Sequence, residues 1–145
     1  MKIEEILSMW AEDCDIDPNK LVSESVNSVK YHSKYYKIYV FEKLKLAQLE
    51  QERNSLIHLK TEYYQGELDL QTLKDRDWVP FQKKILKTDL ERYLNADKDI
   101  IQFNLKFALQ REKVQALKDI IASIAQRSFH IKNINDTNNF KAGVY

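Results

Sequence analysis

The chain has little glycine, proline or cysteine: two, two and one among 145 residues. With only Gly66 and Gly143 available, a glycine-rich loop that cradles phosphate is excluded. Cys14 stands alone, so no disulfide can form within the chain. It reads as a small, unreactive residue. No run is long and uncharged enough for a membrane span. The start, Met1-Lys2-Ile3-Glu4-Glu5, lacks the apolar stretch of a secretory signal. A soluble intracellular protein is expected. Neither sign of charge is in excess, with 23 Lys and Arg against 22 Asp and Glu. That excludes a uniformly basic protein but permits a local basic stripe. His32, His58 and His130 are scattered, so no metal cluster or nucleophile–base pair stands out. Asp13, Asp15 and Asp17 alternate like a hard-cation loop without its other positions, and read as a solvated capping turn. No metal, no cofactor and no enzymatic activity are expected.

What is present is helical pattern. Asn19 to Gln65 is 47 residues without glycine or proline, and another 62 separate Pro80 from Gly143. Such unpunctuated stretches are usually helical. Ile3, Ile6, Leu7 and Trp10 predict a short first helix, and Asp17-Pro18 a start for the next. Val22, Val26, Val29, Ser33, Tyr36, Val40, Leu44 and Ala47 step by three or four into a mostly apolar stripe. Leu46, Leu49, Leu56, Leu59 and Tyr63 lie on a neighbouring face. One helix over this span would be about 70 Å long, and a break at Gln51 to Asn54 is an alternative. Gly66 suits a left-handed helix end. Glu67 to Val79 reads as a loop carrying Trp78, and Thr88 with Glu91 as a capping box. Asn95 or Asp97 caps the second long helix. Its residues Phe107, Val114, Leu117, Ile121 and Ile124 form a heptad-like seam, with Ile101, Leu105 and Ala108 beside it. Phe129, Ile131, Ile134 and Phe140 suggest a short helix or an extended arm.

The fold expected is all-α: two long amphipathic helices with short flanking helices, in one domain over 1–145. Segment 1–66 holds the N-terminal helices, 67–87 a loop and basic segment, and 88–145 the C-terminal helices. Two such helices in so small a chain cannot both be buried in a private core. Head-to-tail assembly into a closed homo-oligomeric ring would cover them. The seam and Phe129 are the residues expected to support oligomerisation.

Basic side chains recur beside tyrosines. Lys30, Lys34 and Lys37 flank Tyr31 and Tyr35; Arg53, His58 and Lys60 precede Tyr63 and Tyr64; Lys83, Lys84 and Lys87 follow the loop. Two readings fit. Long helices carry lysine on a wet face bordered by tyrosine. Alternatively, cations neutralise phosphates and rings stack on exposed bases, which suits single-stranded nucleic acid; composition and spacing alone favour the first. A ring would multiply weak patches through effective concentration.

Three segments carry a resemblance. They are Ile57-His58-Leu59-Lys60-Thr61-Glu62-Tyr63-Tyr64-Gln65-Gly66, Tyr93-Leu94-Asn95-Ala96-Asp97-Lys98-Asp99-Ile100, and Gln126-Arg127-Ser128-Phe129-His130-Ile131-Lys132-Asn133-Ile134 with Phe140-Lys141-Ala142-Gly143. In order and content they resemble the phage recombination mediator family, the UvsY-type proteins of large tailed phages. The resemblance implies a non-enzymatic accessory protein in the cytoplasm of an infected bacterium. It would bind single-stranded DNA, a RecA-like recombinase and a single-strand-binding protein, and form hexameric or heptameric rings. The family's DNA-contacting run, Leu-Lys-Ala-Arg-Leu-Asp-Tyr, falls here on Ile57 to Tyr63. Lys60 keeps the charge of the arginine place without its planar fork. His58 stands at the lysine place, so contact there is expected to be weaker or shifted. Arg53, Tyr63, Lys83, Lys84 and Lys87 are further candidates, the last three after a loop that looks longer than in the best-known member. The rival expectation is a helical structural or adaptor protein that self-assembles and binds only proteins.

Overall fold

The computed structural model describes residues 1–143. Among them are five helices and no strand: α1 (Ile3–Asp13), α2 (Leu21–Tyr64), α3 (Leu70–Arg76), α4 (Lys87–Ala96) and α5 (Lys98–Lys141). Each of the two stretches poor in glycine and proline holds a helix of 44 residues, and the second also holds α4. α2 runs unbroken through Gln51 to Asn54, because three of those four polar residues point to water. It starts later than Asp17-Pro18 suggested. The Asp17 carboxylate accepts the Asn19 N–H and its carbonyl accepts that of Lys20, closing a turn before Leu21. Gly66, at φ 74°, ends it. The Gly66 N–H donates to the Tyr63 carbonyl and that of Glu67 to Glu62, which satisfies the last open carbonyls. The tail expected as a separate helix or arm instead continues α5 to Lys141.

The chain divides into two compact units, 1–44 with 111–143, and 45–110. In the first, the leading half of α2 lies antiparallel to the trailing half of α5, with α1 packed on both. Ile6, Tyr35, Leu117, Ile120 and Ile124 form its core, joined by Met9, Trp10, Tyr31, Ile38, Tyr39 and Ile121. Trp10 meets Tyr35 edge-on at 5.5 Å. Polar groups complete the packing. Arg127 is buried; it donates to Ser28 Oγ, to the Asp13 and Cys14 carbonyls, and to Glu24 at 2.7 Å. Tyr35 and Lys34 both donate to Asp13. The stripe from Val22 to Leu44 faces the other way, and all of its members are exposed.

In the second unit, the trailing half of α2 lies antiparallel to the leading half of α5. Leu46, Leu49, Leu56, Leu59 and Tyr63 are half-buried there. The segment read as a loop contains α3, capped by Asp69 through the Thr72 N–H. It ends on Asp77, a left-handed residue at φ 58°. The Trp78 N–H then donates to the Leu73 carbonyl, which fixes the start of the next segment. α4 begins at Lys87 without a side-chain cap, so Thr88 and Glu91 do not form the expected box.

Arg127 gathers four acceptors that would otherwise be left without their donor. Arg127→Ala should lower unfolding free energy by about 3–5 kcal/mol, as for a broken buried ion pair. Arg127→Lys should recover only part of it, since an ammonium lacks the fork. Urea titration followed by far-ultraviolet circular dichroism measures both.

Candidate nucleic-acid interface

The expected DNA-contacting residues meet different fates. Lys60 is 4% exposed. Its ammonium lies 2.8 Å from Asp99 and 3.0 Å from Asp97, both carboxylates from the α4–α5 junction. It also sits 3.9 Å from the centroid of the Trp78 ring and 5.4 Å from that of Tyr63. Its charge is neutralised inside the protein, so it presents no free cation to a phosphate. Arg53 is half-buried, donates to Asn104 at 2.6 Å and lies over the Phe107 ring. Tyr63 donates its hydroxyl to the Val79 carbonyl. His58 is exposed, 3.3 Å from Glu62.

Lys83, Lys84 and Lys87 are different. All three are exposed and have no ion-pair partner among the described residues. They follow Phe81, whose ring contacts Tyr63, Tyr64 and Tyr93 at centroid distances of 5.0–5.9 Å. Tyr63 also touches Trp78 at 5.3 Å. This aromatic cluster anchors the irregular segment, and the lysines extend from it into water. Sequence order hinted at the basic run. It gave no sign that Trp78 and Phe81 would anchor the segment, since aromatics in an apparent loop have no periodicity to read.

Asp97 holds the junction. One carboxylate oxygen accepts the Ile100 N–H at 3.0 Å and caps α5; the other accepts the Tyr64 hydroxyl at 2.7 Å and faces Lys60. Burial alone would push the Asp97 carboxyl up. The hydrogen bonds from Tyr64, the Ile100 N–H and Lys60, with the Lys60 charge, outweigh it and hold the carboxyl below the usual aspartate value. Burial, then the bond to Asp97, pushes the Tyr64 phenol well above its ordinary value.

The expected oligomerisation residues also divide. Leu117 and Ile124 are buried in the core of their own unit, with Ile121 packed against it. Val114 and Phe107 are half-buried, and Phe129 is exposed. The buried ones have no surface left for a second copy. The heptad-like spacing reported a helix–helix seam but could not distinguish an internal partner from an external one.

An all-helical protein with an exposed basic segment on an aromatic anchor is the class defined by these features. Residues 9–144 match the family model described as recombination, repair and ssDNA binding protein UvsY. This chain belongs to the UvsY family. It is similar to recombination protein uvsY of Enterobacteria phage T4, 24% identical over 143 residues that cover 99% of both chains. Its fold matches the crystal structure of the bacteriophage T4 recombination mediator protein UvsY in lattice type II, with TM-score 0.84, 24% identity and 98% of each chain covered. The lattice type IV structure matches with TM-score 0.80 and 21% identity, over 97% of this chain and 99% of that one.

The two shifted groups set opposite pH limits. The Asp97 contribution is whole at neutral pH and is lost as pH falls below the ordinary aspartate range, because its folded value is depressed. The Tyr64 contribution is present below its unfolded value of about 10 and is lost as pH rises beyond it. Asp97→Asn should cost about 3 kcal/mol at pH 7 and flatten the acid limb. Tyr64→Phe should flatten the alkaline limb in part, because burial and the bond to Asp13 raise the Tyr35 phenol in the same direction. Thermal unfolding across pH, read by Trp78 emission in a Trp10→Phe background, measures both.

Proposed function

We propose that this chain is a recombination mediator. It binds single-stranded DNA and promotes loading of a RecA-like recombinase onto strands covered by single-strand-binding protein. It acts in the homologous recombination, repair and recombination-dependent replication of a phage, in the cytoplasm of the infected bacterium. It catalyses no covalent reaction itself. The observation that carries this reading is the family match over residues 9–144. The unpaired Lys83, Lys84 and Lys87 support its DNA-binding part: cations without internal partners are free to release counterions from a strand. In this reading Lys60 and Arg53 act by organising the site, and the lysine run makes the phosphate contacts. Of the residues at the motif, His58 stands open to the strand.

The mediator works as a closed ring, hexameric or heptameric. What supports assembly is the apolar stripe, with Val22 at 82%, Val29 at 73% and Leu44 at 63% exposure. Contiguous apolar surface of this kind marks interaction sites. The assembly surface is therefore this stripe of α2 with Phe129, in place of the buried part of the α5 seam. A protein-only scaffold would use the same stripe and bind no DNA, so DNA affinity separates the two readings.

Replacing Lys83, Lys84 and Lys87 together by alanine should weaken oligo-dT binding at least tenfold. It should also lower the slope of log affinity against log salt by about 2, at about 0.7 per single-strand phosphate contact. Fluorescence anisotropy at several salt concentrations reads both, and an unchanged slope would place the phosphate contacts elsewhere. Separately, Val29→Lys with Leu44→Lys should reduce the assembly to smaller species without loss of helicity. Light scattering that still found the parental mass would rule out the stripe.

A further inference from the structure

The second unit contains an open groove of about 860 Å³ whose lining includes no residue of the Ile57–Tyr63 run. Its size is that of a small-ligand site. Two aromatic rings line it, Trp78 and Phe103. Each has a cation alongside: the Arg76 guanidinium lies 5.9 Å from the Trp78 centroid, and the Lys106 ammonium 5.8 Å from that of Phe103. Neither cation has an ion-pair partner among the described residues. The amides of Gln51 and Gln102 also line the groove and have no hydrogen-bond partner among those residues.

Two carboxylates reach the groove, but both are already engaged. Asp99 faces Lys60 at 2.8 Å, and Glu52 accepts from Gln48 at 3.3 Å. Glu52 meets only a neutral amide and keeps its charge, and Asp99 shares Lys60 with Asp97, so Arg76 and Lys106 are the groove's unpaired cations beside one unpaired carboxylate. The rings are placed by structure that does not depend on a ligand. Trp78 is tied through its N–H to Leu73 and backed by the Lys60 ammonium. Phe103 belongs to the continuous helix α5.

We infer that this groove is a subsite for unstacked bases of single-stranded DNA, with Trp78 and Phe103 as stacking surfaces and Arg76 and Lys106 as contacts for the flanking phosphates. The inference rests on the DNA-binding reading above and names a site that reading does not need. A ring beside an unpaired cation is the arrangement a nucleotide recognises, with its flat base and adjacent negative charge. The free amides suit base edges, which carry both donors and acceptors. A duplex keeps its bases stacked inside and offers no ring face, so the groove discriminates for single strands. A purely phosphate-binding surface would need neither ring.

The chain has two tryptophans, Trp10 and Trp78, so in full-length Trp10→Phe all tryptophan emission comes from the groove. Oligo-dT should quench it in step with the anisotropy of a labelled strand, and duplex of equal length should not. Phe103→Leu and the pair Arg76→Ala with Lys106→Ala should each weaken binding about tenfold, while circular dichroism stays unchanged. An oligomer carrying 5-iodouracil should cross-link to Trp78 or Phe103, located by mass spectrometry in the otherwise unaltered protein. Salt-sensitive binding with constant Trp78 emission, no cross-link and parental affinity of the Phe103 variant would overturn the groove and leave the DNA reading intact. That outcome would also be met if the groove held a protein segment. Absence of oligo-dT binding at any salt would overturn both readings together.

Discussion

One buried carboxylate, Asp97, holds the second unit in order. It caps α5, accepts from Tyr64 at the end of α2, and faces the Lys60 ammonium. Among the described residues of this unit, only Leu73 and Ile100 are buried apolar side chains. The hydrophobic effect is spread there over half-covered leucines and aromatics, which can slide against one another. A charge pair with two further hydrogen bonds cannot slide. Buried ion pairs contribute little net stability against an apolar substitute, but they can select one register. Here the register chosen brings the α4–α5 junction onto the last turns of α2. Trp78 is then set over Lys60, and Phe81 over Tyr63 and Tyr64.

This arrangement redistributes work within the motif. The position that the family resemblance assigns to DNA retains a positive charge, and that charge faces inward. Two acids and an indole surround it. The free cations lie outside the motif: Lys83, Lys84 and Lys87 on one segment, Arg76 and Lys106 at the groove. A motif can thus keep its chemistry in sequence while acting as a scaffold for neighbours. Charge on a helix becomes available to a ligand only when no internal carboxylate reaches it.

Much of the fold was legible because absence is a strong signal. Long runs without glycine or proline predicted the two helices, and Gly66 predicted the end of the first through its tolerance of positive φ. Local rules failed where a competing local bond was better. Asp17 closed its own turn instead of starting α2, and α4 began one residue ahead of Thr88. Partner choice was the larger gap. Lys60 meets Asp97 and Asp99 only because α2 and α5 pair in one register, which no local spacing encodes. The same limit left open whether the Leu117–Ile124 seam would pack on its own chain or on a copy, and Leu117 and Ile124 lie in the core of their own unit. The apolar stripe of α2 was visible in sequence, and its exposure was expected in kind: two long helices needed more cover than one chain supplies.

The continuity of α2 and α5 also restricts how this molecule can change. A residue inserted into either helix turns everything beyond it by about 100°. Within one step the inward tyrosines and the outward valines beyond the insertion would both turn sideways, and Lys60 would swing away from Asp97. Substitution can be absorbed at the many exposed positions of these helices, but a change of length cannot. Variation in length is therefore confined to the short joints, chiefly the segment between α3 and α4. That is the stretch that bears Trp78, Lys83 and Lys84, so the part of the chain freest to grow is also the part that carries unpaired cations into water.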